Sequence, residues 1–383
     1  MKVALPELPF LPEFPSLVDH HCHGVARRDL DPEAFESYLT ESDVPAAPGT
    51  TFFDSQLGFA VRRWCPEPLG LEPHCPPERY LARRRELGWE ESTRRLLRAS
   101  GIARFLVDTG PAADLTPRQK LETLAGAPAR DIVRLEQLAE RTADTSPSAR
   151  DLLADLGDAI EAATTTAAGF KSVAAYRYGL DLPPGPPHPR DVHEAAERWL
   201  AERGSTDRAR RVSDPVLLSH LMWSAAETGL PLQVHTGFGD PDLRLHRCDP
   251  LLLTDFLHEV RSTGCSVILL HGYPYHRSAA YLAHVFPHVY ADVGLALGYT
   301  GARAVAVLAE MLELAPFGKV LFSTDAIGLP ELYLVGARVF RDALARLLSG
   351  WVEQDAWSPE DAGRVARLIC ADTARRVYGL HAG

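Results

Sequence analysis

Short apolar runs recur along the chain, and nearly all end on a residue that can ionise or bind a metal. Leu17-Val18 leads into Asp19-His20-His21-Cys22-His23-Gly24. The run 103–107 ends at Asp108, 131–135 at Glu136, and Gly169-Phe170 at Lys171-Ser172. The run 231–234 ends at His235, 266–270 at His271, 288–291 at Asp292, and 319–322 at Ser323-Thr324-Asp325. Runs of this length, bounded by turn residues, read as short buried strands. Helical periodicity fills the intervals near 147–163, 191–203, 214–228, 249–263, 276–285, 302–314, 330–348 and 359–378. Asp214-Pro215, Asp249-Pro250 and Ser358-Pro359 are helix starts, each a capping side chain followed by proline in the first turn. Gly229 and Gly264 are the matching stops.

Eight strands, each followed by helical material, predict an α/β fold of the (β/α)8 TIM-barrel type. An open doubly wound sheet would not need a polar group at every strand end, and no GxGxxG loop is present. Residues 25–100 contain no strand that suits a barrel. They read as helical pieces at 31–41 and 77–99 around a Pro-rich loop at 64–77. The expectation is one barrel domain over 1–383, distorted, with 25–100 a cap-like helical insertion after strand 1. A separate small domain is the alternative, and 1–16 reads as an extended lead-in.

Barrel chemistry sits at the C-terminal ends of the strands. His21 and His23 are two apart, so an extended strand puts both imidazoles on one face and turns Cys22 away. With His235 and Asp325 they offer neutral nitrogens and one anionic oxygen to a divalent ion, with room left for water, as a catalytic site requires. Asp325 can also act as general base. His271 can ligate a second ion or polarise a carbonyl. Lys171 can pair with a substrate carboxylate as a cation, or bridge two ions as a carbamate. The competing readings are ordinary core histidines and helix-capping aspartates. Asp108 and Asp292 stand between orienting a ligand and forming a turn.

Candidate substrate contacts are Glu136, Arg177, Asp240, Arg244, Tyr273 and Arg277. Arg277 reads as a bidentate carboxylate clamp or as a surface arginine. The Gly-rich stretch 237–244 reads as a loop that closes over substrate. A nucleophilic hydrolase has little support: no GxSxG elbow is present, and Cys22 faces away from its flanking histidines.

Composition narrows the partners. The 383 residues carry a net charge of -11 with His neutral, against a nucleic acid or an anionic membrane surface as partner. No run of 18 apolar residues and no leader pattern occur, so a cytoplasmic protein acting on a small molecule is expected. A homo-oligomer is compatible with this. The 6 cysteines lack any CxxC spacing, which suits a reducing compartment. Cys65 and Cys75, flanking the Pro-rich loop, are the pair best placed to bond or to share a metal.

At this point the sequence resembles the amidohydrolase superfamily. The carriers are His-x-His after strand 1, Lys after strand 4, His after strands 5 and 6, and Asp after strand 8. The stretches FKSVAAYRYGL, QVHTGFGDPDLRL, LLHGYPYHRSAAYLAHVFPHVYADVGLAL and VLFSTDA resemble the amidohydrolase-related branch. They are nearest the amidohydrolase part of fluffy G and nodulin-type proteins, which carry a glutamine synthetase-like domain. That domain is expected to be absent here. The resemblance implies a distorted TIM barrel and a divalent metal, most often zinc, with manganese an alternative. It implies ligand roles for His21, His23, His235 and Asp325, and a ligand or electrophile role for His271. Lys171 matches the position carboxylated in members with two ions, although its FKS setting differs from theirs. The expected activity is hydrolysis of an amide or related acyl or C–N bond in a small carboxylate-bearing substrate, with a γ-glutamyl amide favoured. A non-oxidative decarboxylase is the alternative enzyme, and a binding barrel without catalysis the third reading.

Overall fold

The computed structural model describes residues 14–110, 114–202 and 211–380. Most of the 1–16 lead-in and the end of the helix expected to reach 203 lie outside them. Seven parallel strands form one sheet in chain order. They are β1 (Leu17–Cys22), β2 (Ile102–Asp108), β3 (Ala129–Arg134), β4 (Gly169–Ser172), β5 (Leu232–Thr236), β6 (Val267–His271) and β7 (Val289–Ala291). Parallel neighbours in sequence need crossover connections, which the intervening helices supply.

The eighth expected strand, 319–322, is not a regular strand. Phe317–Lys319 forms a 3-10 turn, and Val320 makes a single parallel bridge to Ala291. Beyond it, polar side chains take over the ladder. The Asp19 carboxylate accepts Thr324 N (3.0 Å) and Thr324 Oγ1 (2.6 Å), and Asp292 accepts Ser323 Oγ (2.9 Å). The segment still joins the two edges of the sheet. Leu321 N donates to Ala291 O on β7 at 3.1 Å, and His20 N on β1 donates to Phe322 O at 3.2 Å.

Side-chain alternation divides the core. Val18, Leu106, Ile132, Ile268, Tyr290 and Leu321 form one buried cluster with Ala371, Ala374 and Tyr378, so the C-terminal turn plugs the N-terminal end of the strands. Leu17, Cys22, Phe105, Val107 and Phe170 face the helices in the larger cluster. The expected helix starts form as read: Asp214, Asp249 and Ser358 each accept a backbone N–H of the following turn. Several helices differ in detail. The 249–263 stretch is α-helical only at Thr254–Val260, between 3-10 turns at Pro250–Leu253 and Arg261–Thr263. The 302–314 stretch is α-helical only at Ala304–Met311, with a further helix at Gly294–Thr300, and 359–378 is interrupted by a π turn at Leu368–Asp372.

Residues 25–100 hold the helices Pro32–Glu36, Gln56–Trp64, Pro77–Leu87 and Trp89–Ser100. A buried ion pair fastens them to the long helix Pro330–Glu353: Arg84 Nε lies 2.7 Å from Glu331 Oε1, and Tyr80 Oη donates to the same oxygen at 2.9 Å. All 6 cysteines are buried and free, so Cys65 and Cys75 form no disulfide. Among the described residues no helix is long and apolar enough to cross a membrane.

Candidate metal centre and active site

The histidine run at the end of β1 does not follow simple alternation. The pairing with β2 shifts register between Asp19 and Cys22. Such an irregularity lets successive side chains reach the same side. His20 and His21 therefore both find interior partners, whereas Cys22 turns to Leu106 O. Gln233 on β5, fully buried, orders this end of the barrel. Its Nε2 donates to His20 O and to Tyr378 Oη, both at 2.8 Å. With both donors used, Gln233 Oε1 must accept, and it takes the Nδ1 proton of His21 at 2.8 Å. His21 Nε2 is then a lone pair aimed at the cavity. His23 is set the same way, with Nδ1 3.2 Å from the carbonyl oxygen of Asp108.

Both Nε2 atoms face one oxygen. Asp325 Oδ1 lies 3.0 Å from His21 Nε2 and 3.3 Å from His23 Nε2. Lone pairs facing a carboxylate oxygen repel unless a cation lies among them. His271 Nδ1 approaches Asp325 Oδ2 at 3.7 Å. Neither His271 Nδ1 nor His235 Nε2, both buried, has a hydrogen-bond partner. A buried nitrogen left unpaired is costly, and coordination would satisfy it. Burial, reinforced by Lys171, holds His21 down at about 3; burial likewise lowers His235 well below its ordinary value and His271 to about 4. All three are thus neutral and able to donate a lone pair near pH 7. Burial works against the Asp325 charge, but protons on His271, His21 and His23, or a cation in their place, hold that carboxyl well below the ordinary range. Donor atoms of His21, His271 and Asp325 lie within 4.8 Å of one another, and so do those of His21, His23 and Asp108. This donor set fits a divalent ion. His235 stands beside His271, ring centroids 4.6 Å apart, outside both groups.

Two of these residues carry left-handed backbone, His271 at φ 70° and Asp325 at φ 51°. Such conformations are costly for non-glycine residues and concentrate at functional sites. Asp292 maintains one of them. Its Oδ1 accepts His271 N at 2.9 Å, and its Oδ2 accepts His20 Nε2 at 2.6 Å. Asp292 is therefore an orienting residue rather than a mere turn former. Asp108 is held by Arg134, whose Nη2 lies 2.6 Å from Oδ2, and by Gly110 N at 2.9 Å from Oδ1.

Residues 160–380 match the family model described as Amidohydrolase. The chain belongs to the amidohydrolase family. It is 31% identical over 285 residues to Protein fluG of Emericella nidulans, an alignment covering 68% of the chain and 32% of that protein. The chain thus spans about a third of the length of that curated relative. Among solved structures it is similar to a Lactobacillus casei ATCC 334 protein assigned as a metal-dependent hydrolase. The two share 26% identity and a TM-score of 0.84, over 99% of this chain and 100% of that one. A glucuronate isomerase from Caulobacter crescentus shares the fold, with a TM-score of 0.66 at 14% identity, over 96% and 92% of the two chains. The chain is accordingly an enzyme of the amidohydrolase superfamily, in its amidohydrolase-related branch.

The fold gathers only some of the expected substrate contacts. A cavity of about 530 Å³ is lined by the four cavity-facing histidines and Asp325, with Lys171, Arg177 and Asp240 around them. Lys171 is 1% exposed, and burial lowers its ammonium to about 8. Arg177 gives Nη2 to Glu140 Oε1 at 3.1 Å, while its Nε and Nη1 are buried without a partner. Gly239 lets the 237–244 loop close on the site: a Cβ there would fall 1.9 Å from Tyr176 Oη.

Four expected contacts lie elsewhere. Glu136 is fully buried beneath β4, accepting Ser172 Oγ at 2.7 Å and Val173 N at 2.9 Å. It holds the turn that follows β4 rather than lining the cavity. Because β3 ends at Arg134, that arginine occupies the place expected of Glu136 and lines the cavity. Arg277 is 60% exposed and pairs with Glu313 at 3.0 Å, which is its surface reading. Arg244 is exposed at the start of a 3-10 turn, and Tyr273 stacks on His276 with centroids 5.5 Å apart; neither lines this cavity. Sequence reasoning missed Glu41, Gln137, Glu140, Arg211 and Gln233 at or behind the site. Only Gln233 left a trace, as the polar residue inside an otherwise apolar strand 5.

Proposed function

We propose that this enzyme is a hydrolase that uses a divalent ion, zinc in the first instance and manganese as the alternative, to activate water. Its substrate is an amide or related C–N compound that is small and carries a carboxylate, with a γ-glutamyl amide the favoured form. The observation that carries the reading is the convergence of His21 Nε2 and His23 Nε2 on Asp325 Oδ1, beside unpaired nitrogens on His235 and His271. His21, His23, His235 and Asp325 would hold the ion, with His271 as a further ligand or as the group that polarises the substrate carbonyl. An ion bound there supplies Lewis acidity and brings the pKa of water towards neutrality.

The chain's own groups do the rest. Asp325, ionised at neutral pH, accepts the proton of the attacking water and returns it to the leaving nitrogen. Arg177 presents Nε and Nη1 to the substrate carboxylate, and Lys171 adds a second positive charge on the same wall. Lys171 remains a cation in this reading; a carbamate that holds a second ion is the alternative for the same side chain. Asp240 and Tyr176 exclude water from the loop side of the site. In architecture, the sheet and segment 320–326 form one distorted (β/α)8 barrel over 1–383, with 25–100 as its cap. Free cysteines throughout fit a cytoplasmic setting.

The test is product analysis by mass spectrometry with γ-glutamyl amides supplied to the zinc-loaded protein. Free glutamate and amine are expected, with turnover reduced at least about 100-fold in Asp325→Asn. Release of carbon dioxide from an acid substrate instead would replace this reading with the decarboxylase. Unchanged turnover in Asp325→Asn would remove the proposed base.

A further inference from the structure

A second chamber of about 370 Å³ adjoins the metal cavity, within the ~300–1,000 Å³ range of small-molecule sites. The two chambers share Glu41, Asp240, Asp325 and Ile327. The boundary between them therefore runs through the aspartate proposed as the base. A bond cleaved at Asp325 has one half of the substrate on each side of it.

The two sides differ in chemistry. The metal cavity carries Arg134, Lys171, Arg177 and Arg211. The second chamber has walls of Leu57, Leu295, Leu332 and Val335, and no Lys, Arg or His among its described lining residues. Its charged groups are carboxylates, so an anionic substituent would meet repulsion there and attraction in the first chamber. Substrate orientation follows: carboxylate towards Arg177, the other half into the second chamber. At the junction Tyr299 Oη donates to Glu41 Oε1 at 2.9 Å, fixing a carboxyl where the N–H of a leaving amine would stand.

We infer that the second chamber is the leaving-group site and that it takes the aliphatic amine half of the amide, held by apolar contact along the chain and by Glu41 at the nitrogen. Residues 37–57, a stretch remote in sequence from every metal-facing group except β1, build one wall of it. They thereby set which amines are released. This rests on the hydrolase reading for its chemistry, but the chamber is tested independently.

Gly298 is the place to test it. Gly298 lines the chamber, and a Cβ built there meets only Leu57 Cδ1, at 3.9 Å, so a side chain can be added at this wall. Two measurements are made on the zinc-loaded protein, its Gly298→Phe variant and a Gly298→Ala control. One is the ratio of kcat/KM for γ-glutamyl hexylamide over γ-glutamyl methylamide. The other is calorimetric binding of hexylamine. The inference expects the ratio to fall at least tenfold in Gly298→Phe, with hexylamine affinity falling by a similar factor, and both to fall by less in Gly298→Ala, in step with the volume added. An unchanged ratio, or hexylamine bound equally by all three proteins, overturns it. Hydrolysis of neither amide, together with loss of hexylamine binding in Gly298→Phe alone, upholds the chamber and removes the hydrolase reading.

Discussion

Gln233 Oε1 lies 2.8 Å from His21 Nδ1, and that contact decides which nitrogen of His21 faces the cavity. The chain continues outward. Gln233 Nε2 donates to Tyr378 Oη, so the tyrosine hydroxyl has its own proton to give, and His20 Nδ1 lies 3.1 Å away to receive it. The tautomer of a cavity-facing histidine is thereby set from the C-terminal turn. Partners of this kind are typically worth 10- to 100-fold in metal affinity. Gln233→Leu is expected to weaken zinc binding by about that factor, and Tyr378→Phe by less, since the Gln233–His21 bond survives. Competition with a chromogenic chelator reads both. Wild-type affinity in Gln233→Leu would mean the hydrogen bond does not order the site.

Arg177 is the buried cation with two donors to spare. Hydrogen bonds to charged groups contribute about 1.5–3 kcal/mol, so Arg177→Met is expected to raise KM for a γ-glutamyl amide by roughly 10- to 100-fold. Zinc content stays as in wild type. Arg177→Lys restores little, because an ammonium has neither the reach nor the fork of a guanidinium. Steady-state kinetics with metal analysis of each variant checks this; an unchanged KM in Arg177→Met would place the carboxylate elsewhere.

Burial pushes the Glu41 carboxyl up to about 7 from an ordinary 4.5. An acid whose folded pKa is raised binds more protons folded than unfolded between those values. Stability contributed at this position is therefore lost as pH rises from about 4.5 to about 7, and is constant above. Glu41→Gln removes the effect. The variant is expected to match wild type near pH 4.5 and to exceed it at pH 8 by up to about 3 kcal/mol, at roughly 1.4 kcal/mol per unit. Urea melts at the two pH values measure the difference, and a stability gap that does not change with pH would contradict it.

Much of the fold was legible because parallel strands buried on both faces read as apolar runs, and seven of the eight expected runs are strands in the expected order. The eighth failed for a reason no periodicity contains. Asp19 and Asp292, distant in sequence, take the hydrogen bonds of Ser323 and Thr324 and bend that run out of the ladder. The four cavity-facing histidines and Asp325 were visible because each follows the end of a short apolar run. Arg134 was not, because strand boundaries are uncertain by a residue or two and Glu136 stood in its place. Arg277 looked like a clamp in sequence, but its side of the helix faces Glu310 and Glu313 rather than the cavity. Glu41 and Tyr299 lie 258 residues apart in the chain and carry no motif, so only the folded chain brings them together.

The most direct test of the account is the metal itself. Purified protein, stripped with chelator and dialysed against zinc, is analysed by mass spectrometry for bound ion, alongside His21→Ala and Asp325→Ala. The account predicts at least one zinc per chain in the wild type, retained through dialysis, and loss of it in both variants. A wild-type chain that holds no divalent ion, or variants that hold as much as wild type, would contradict the assignment of His21 and Asp325 as ligands and the hydrolase built on them.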